Sequence, residues 1–238
     1  MNQSRRAAPM TSVAAIFDVD GTLVRTNAVD YYLFFVKHLS NPVQRLFKRL
    51  AVPMWGPYWL LLDRIDRRQF NRSFYRQYRG FSVAATRELA EVCFQDVFMP
   101  RLIPETLRRA EQHRARGDRI LLVSGTLDFI LAPLAEFLGA EAVLSPRLAH
   151  ENGVYQGRIA GKNIVGDTKA EVVADYAREK SIDLSKSCAY GDSLSDVSLL
   201  NQVGRAIVVD PSKRLLNMAD RFGWEKIISR EEVQGPCP

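Results

Sequence analysis

The sequence predicts an α/β fold, a doubly wound, Rossmann-like parallel sheet into which a helical domain is inserted. Three observations carry this. Short, almost wholly apolar runs recur at 13–17, 119–123, 187–190 and 205–209, as expected of strands buried on both faces of a parallel sheet. From about residue 104 onward these runs alternate with helical segments, the grammar of a doubly wound sheet. Between the first and second runs the alternation stops, and residues near 27–100 read as helices with no convincing strand among them. A chain of 238 residues has room for one core domain with a smaller insertion. The expected division is therefore an α/β core of residues 1–26 and 101–238 and a helical cap of residues 27–100.

Taken in order, the first strand, Val13-Ala14-Ala15-Ile16-Phe17, is followed by helices expected at 31–38, where the spacing is aromatic, at 42–50, and at 82–98 behind the N-cap Ser82. Pro104 opens another helix that Gly117-Asp118 closes, and Arg119-Ile120-Leu121-Leu122-Val123 is the second strand. A helix at 127–138 and a short strand at 142–144 come next. Residues 148–159, centred on Glu151-Asn152-Gly153, read as a β-hairpin projecting from the sheet. A helix at 167–180, a strand at 187–190, a helix at 195–202 and a last clear strand at 205–209 complete the pattern, and residues 234–238 read as a loose tail.

The chemistry concentrates at strand ends, where sheets of this kind bind ligands. Asp18-Val19-Asp20-Gly21-Thr22-Leu23 directly follows the first strand. Its two carboxylates project the same way if the extended geometry persists, Gly21 supplies a turn, and Thr22 can offer a hydroxyl and backbone N–H groups to an anion. Val123-Ser124-Gly125-Thr126 ends the second strand, so that a hydroxyl and neighbouring N–H groups can cradle a phosphate at a helix N-terminus. Gly166-Asp167-Thr168-Lys169 opens a helix with a lone ammonium suited to phosphate charge. Tyr190-Gly191-Asp192-Ser193-Leu194-Ser195-Asp196 places two carboxylates four residues apart, one to bind Mg²⁺ and one to brace the loop. Each signal has a duller reading as a turn, a solvated lysine or a helix cap. Four of them in this order on these elements argue for one shared phosphate site.

Asp-x-Asp-Gly-Thr-Leu, Ser-Gly-Thr, Gly-x-x-Lys and Gly-Asp-x-x-x-Asp in this order resemble the motif set of the haloacid dehalogenase superfamily over residues 13–210. The helical insertion between the first and second motifs resembles the phosphoserine-phosphatase-like subfamily. The resemblance implies an Mg²⁺-dependent phosphomonoester hydrolase in which Asp18 attacks phosphorus to form an aspartyl phosphate and Asp20 is the general acid and base. It further implies that Ser124, Gly125 and Lys169 hold phosphate oxygens. Mg²⁺ would bind Asp18, the Asp20 backbone carbonyl and Asp192, with Thr22 and Asp196 in support. Oxygen donors without histidine or thiolate suit Mg²⁺. Asp20 also separates the chain from the superfamily's ATP-driven pumps, which carry another residue at that position. Phosphoserine phosphatases of the subfamily carry a glutamate seven residues after the second aspartate; Asn27 stands there in this chain, which points away from O-phosphoserine.

Composition excludes other classes. Cys93, Cys188 and Cys237 are odd in number and form no Cys-x-x-Cys pair, against a disulfide framework or thiolate metal site. His38, His113 and His150 are scattered, against triad chemistry and histidine-ligated zinc. Arg5 and Arg6 precede the first strand without an apolar stretch, so a cytoplasmic protein is expected. The net charge of +6 is uneven: residues 37–80 hold ten Lys or Arg against two Asp, a net +8, which leaves −2 for the remainder.

In that basic segment thirteen uncharged residues, 50–62, include Met54, Trp55, Tyr58 and Trp59, and are followed by Arg64, Arg68, Arg72 and Arg76 at four-residue spacing. The run is too short to span a bilayer, which needs ~20 residues. Two readings stay open. The tryptophans pack inside the cap and the arginines are a solvated face, in which case the substrate is a small phosphorylated metabolite. Alternatively the cap docks on an anionic membrane surface and the substrate is a lipid phosphate such as phosphatidylglycerophosphate or a lysophosphatidate. Phe70 and Phe74 read as cap core. Nucleic acid is disfavoured for want of a recognised binding motif, and nothing in the pattern specifies an oligomer.

Overall fold

The computed structural model describes residues 12–229. Strand β1 (Ala14–Phe17) is buried along its whole length and lies at the centre of a six-stranded sheet. It pairs in parallel with β2 (Arg119–Val123) on one side and β6 (Cys188–Gly191) on the other, Phe17 standing opposite Leu122 and Tyr190. Beyond β2 lies β3 (Ala142–Leu144), and beyond β6 lie β7 (Arg205–Val209) and β8 (Glu225–Ile227), giving the order β3-β2-β1-β6-β7-β8, parallel throughout. The chain thus winds outward from β1 in both directions. The strand order reverses between β1 and β6, so the ligand crevice of such a sheet opens at their carboxyl ends.

Alternation along the strands divides the core in two. Ala15, Phe17, Ile120, Leu122, Tyr190 and Ile207 belong to one apolar cluster, and Ala14, Ile16, Leu121, Val123, Ala189 and Val208 to the other, the two-residue period of strands covered on both faces. Helices α5 (Pro104–Ala115) and α6 (Asp128–Leu138) cover the first face; α7 (Asp167–Lys180), α8 (Val197–Leu200) and α9 (Lys213–Phe222) cover the second. Helix α9 and β8 extend the sheet past the last strand anticipated from sequence. Ser212 caps α9 through the Leu215 N–H and Gly223 ends it in the left-handed conformation, but the helix presents only Leu215 and Ala219 to the core, too few apolar residues to announce it.

The segment between β1 and β2 contains no strand. Helix α1 (Ala28–Lys37) is capped by Asn27, α2 (Pro42–Ile65) by Asn41, α3 (Arg67–Tyr75) by Asp66 and α4 (Val83–Cys93) by Ser82. Their aromatic inner faces join the first cluster: Tyr32, Phe74 and Tyr78 meet edge to face, and Trp59 packs on Phe74. Phe70 and Phe74 are buried as expected, whereas Trp59 is buried and Trp55 is half-exposed. One correction concerns α2. The sequence suggests a helix ending near residue 50 before a broken apolar run, but α2 continues through Pro53 and Pro57 to Ile65. Both prolines lie on its exposed side, where water can serve the carbonyls of Arg49 and Pro53 that lose their donors.

The anticipated hairpin is β4 (Arg147–Glu151) and β5 (Val154–Ala160), turned by Asn152 and Gly153 with both φ positive. It does not stand free. The Tyr155 N–H donates to the Phe81 carbonyl at 2.9 Å and Gly80 N–H donates to the Tyr155 carbonyl at 2.9 Å. At Gly157, with φ +67°, a Cβ would collide with the Arg76 backbone. The hairpin is therefore a buttress beneath α3 and α4. Cys93 and Cys188 are buried free thiols, burial pushing the Cys93 thiol up to about 12; Cys237 and the anticipated tail lie outside the described residues.

Candidate active site

Asp18 leaves the end of β1 with its N–H donating to the Tyr190 carbonyl at 3.0 Å. The chain then turns tightly, Leu23 and Val24 N–H both donating to the Val19 carbonyl. Gly21 takes φ +85° within this turn, and a Cβ there would collide with the Asp192 carboxylate. Glycine thus serves both the turn and the close approach of the fourth motif.

The Asp18 carboxylate is buried and held at both oxygens. Lys169 Nζ donates to Oδ1 at 2.6 Å and Thr22 Oγ1 to Oδ2 at 3.3 Å. Lys169, in the first turn of α7, donates equally to Asp196 Oδ1 at 2.6 Å, and Asp196 Oδ2 accepts from the Ser193 N–H and hydroxyl. Thr22 is fully buried and its hydroxyl is spent on bracing Asp18. Asp20 is held separately. Its Oδ1 accepts from Tyr31 Oη at 2.8 Å and Thr26 Oγ1 at 3.0 Å, its Oδ2 from Thr126 Oγ1 at 2.5 Å. Ser124 is buried and its Oγ accepts from the Thr126 N–H at 3.0 Å, shaping the turn before α6.

Asp18, Asp20, Ser124, Gly125, Lys169 and Asp192 line one cavity of about 60 Å³. Thr22 and Asp196 stand behind it, touching Asp18 and Lys169. Carboxylate oxygens of Asp18, Asp192 and Asp196 come within 4.8 Å of one another. Asp196 is committed to Lys169 and Ser193 and Asp18 to Lys169 and Thr22, whereas the Asp192 carboxylate has no hydrogen bond among the described residues, so Asp192 offers unengaged oxygens beside Asp18. Burial, then the charges of Asp18 and Asp196, pushes the Asp192 carboxyl up to about 8. Burial also pushes Asp18 up to about 6, with Lys169 opposing and Asp196 and Asp20 adding. Asp20 is raised by burial against its three hydroxyl donors. Burial works against ionisation of Asp196 as well, but Lys169 and Ser193 outweigh it and hold that carboxyl low. Lys169 is buried, yet the charges of Asp18 and Asp196 keep its ammonium above the ordinary lysine value. A cluster with excess negative charge and unsatisfied hard oxygens fits a divalent cation such as Mg²⁺.

The cavity also takes Arg67, Asn71 and Tyr75 from α3, and these were not read from the sequence. They stand at i, i+4 and i+8, one stripe of the helix. Asn71 and Tyr75 are buried, Asn71 Nδ2 donating to Asn163 Oδ1 at 3.0 Å and Tyr75 Oη to the Gly125 carbonyl. Arg67 pairs with Asp63 at 3.4 Å, and the charges of Asp63, Asp18, Asp196 and Asp20 overcome burial to raise its pKa. The arginines at 64, 68, 72 and 76 do not form one ridge: Arg64 belongs to α2, Arg76 follows α3, and only Arg68 and Arg72 stand on α3. An arginine and an asparagine four residues apart and off that series, Arg67 and Asn71, were the available signal.

The match to known proteins follows this geometry. Residues 15–201 match the family model of the haloacid dehalogenase-like hydrolases. The chain belongs to that family. A probable phosphatase of Mycobacterium tuberculosis is 29% identical over 91% of this chain and 75% of its own length. A phosphoserine phosphatase of the same organism is 30% identical over 90% of this chain and 70% of its own. The crystal structure of a protein of unknown function from Bordetella pertussis Tohama I superposes with a TM-score of 0.78 at 25% identity, covering 92% of this chain and 99% of that one. As a haloacid dehalogenase-like hydrolase with phosphatases among its relatives, the chain is a phosphoric monoester hydrolase.

Proposed function

We propose that this hydrolase releases phosphate from a small phosphorylated metabolite through an aspartyl phosphate on Asp18, with Mg²⁺ as cofactor. The observation that carries the reading is the Asp18 carboxylate: oriented by Lys169 and Thr22, it lines the same cavity as the Ser124-Gly125 turn and Asp192. An Asp18 oxygen attacks phosphorus as the ester P–O bond breaks, and Asp20, carrying a proton, gives it to the leaving oxygen. Asp20 then takes a proton from water as that water attacks phosphorus, the Asp18–phosphorus bond breaks, and phosphate and free Asp18 are regenerated. Burial that raises the Asp20 pKa favours the proton-carrying form, and the hydroxyls of Tyr31, Thr26 and Thr126 stabilise the carboxylate it becomes. Asp18 and Asp192 would hold Mg²⁺, which supplies charge neutralisation at the phosphoryl oxygens.

Residues 27–100 act in this reading as a cap, because α3 closes the cavity with Arg67, Asn71 and Tyr75. The small cavity and the cation of Arg67 favour a compact leaving group with an anionic or strongly polar substituent. Asn27 lines the cavity but its side chain is engaged as the cap of α1. A single-turnover test decides the chemistry. Acid-quenched protein should carry a hydroxylamine-labile phosphate, absent from Asp18→Asn, which should keep its fold and lose turnover by at least about 10³-fold. Undiminished hydrolysis by Asp18→Asn would sink the mechanism. A panel of soluble monoesters that includes O-phosphoserine then ranks leaving groups, and Arg67→Ala should raise KM for anionic ones selectively.

A further inference from the structure

Helix α2 carries an apolar face that nothing among the described residues covers. At 3.6 residues per turn, Val43, Phe47, Leu50, Met54, Leu61 and Ile65 fall within about 60° of one line, and each is between 54% and 73% exposed. The opposite face is the packed one: Trp59 is buried and donates from Nε1 to Ser73 Oγ, and Lys48 Nζ reaches the Gln77 and Arg79 carbonyls. The exposed stripe runs the length of 24 residues, about 36 Å. Trp55 and Tyr58 at its border are half-exposed and meet edge to face. Isolated surface apolar residues are ordinary, but a continuous stripe of this extent marks an interaction surface.

Charge selects the occupant. Residues 37–80 carry a net +8, and their two acids are engaged, Asp63 with Arg67 and Asp66 as the cap of α3. A groove of about 490 Å³ between α1 and α2 repeats the pattern, lined by Leu33, Phe34 and Val36 together with Lys37, Arg45 and Arg49, against the one carboxylate of Asp30. Apolar and aromatic side chains with flanking arginines match the boundary between headgroups and acyl chains of an anionic bilayer. A second copy of this chain would bring two strongly basic faces together. No helix among the described residues is long and apolar enough to cross a membrane, so α2 lies on the surface. We infer that the exposed face of α2 docks the protein on an anionic lipid surface, with the bilayer as a platform and not the substrate.

Full-length protein is tested for co-sedimentation with vesicles of phosphatidylcholine alone or mixed with phosphatidylglycerol, at low and high salt. Binding is expected to the mixed vesicles only, weakening with salt. Phe47→Ser with Met54→Ser should weaken it at least about ten-fold, and Arg49→Gln about five-fold. Hydrolysis of a soluble monoester and the far-ultraviolet dichroism should stay unchanged in these variants, since none of the three residues lines the catalytic cavity. Absence of binding to mixed vesicles would overturn the inference, as would binding that follows charge alone and ignores the Phe47 and Met54 changes. A concentration-dependent dimer in sedimentation velocity that those changes dissolve would reassign the stripe to a second copy.

Discussion

Lys169 donates to two carboxylates that would otherwise stand buried and uncompensated, so its removal is costly beyond catalysis. Lys169→Met should destabilise the protein by about 3–5 kcal/mol in urea unfolding, whereas Asp18→Asn, which keeps a polar group of the same shape, should cost less. Thr126 bears on the acid step of the proposed mechanism. It donates to the charged form of Asp20, so Thr126→Val should make Asp20 a weaker acid and hinder proton transfer to the leaving oxygen. The expected result is about a ten- to hundred-fold drop in kcat with slower phosphorylation and no accumulation of phosphoenzyme, read by quenched flow. At Asp192 the folded protein holds a proton up to about pH 8 that an unfolded aspartate releases near 3.8. Folding then binds the proton, so the stability of metal-free protein falls as pH rises through that window, and Asp192→Asn should flatten the slope. The residues at motif positions were legible because three of the motifs join a strand end to a polar turn and the fourth opens a helix with a lysine in its first turn. Tyr31, Thr26 and Arg67 were not, because spacing alone does not tell which side chains of the insertion and of the turn leading into it will face the strand ends.

Helix α2 shows where element-level reading reached its limit. Local rules end a helix at an interior proline, and only tertiary packing of Trp59 against Phe74 and Ser73 carries α2 through Pro53 and Pro57. Trp59→Ala should therefore lower stability by about 3–5 kcal/mol and make α2 the first site of proteolysis. Strands β1, β2, β6 and β7 were legible as unbroken apolar runs, and α7 from its spacing. Helix α9 and β8 were not, since an edge element buries few residues and so leaves a faint pattern. The hairpin was found through Asn152-Gly153, but its partner was not: the loop at Gly80 to which it bonds carries no period of its own.

At the scale of the whole molecule, the cavity is assembled from the ends of β1, β2 and β6, the start of α7 and the inner face of α3, so ligand binding and global stability are linked. Mg²⁺ should raise the melting temperature of wild-type protein and leave Asp192→Asn almost unmoved, because an ion that binds only the folded cluster stabilises it by mass action. The parallel sheet itself was predictable from alternation, but the clustering of its two winding directions about β1 follows from long-range pairing that no local window contains. That central position has a consequence for biosynthesis. Strand β1 is made first, yet its second neighbour, β6, begins only at Cys188, roughly 170 residues later, so the growing chain must carry an unsatisfied apolar edge through most of its translation. Nascent chains released before Cys188 should be degraded or held by chaperones, and those extending past β7 should resist protease.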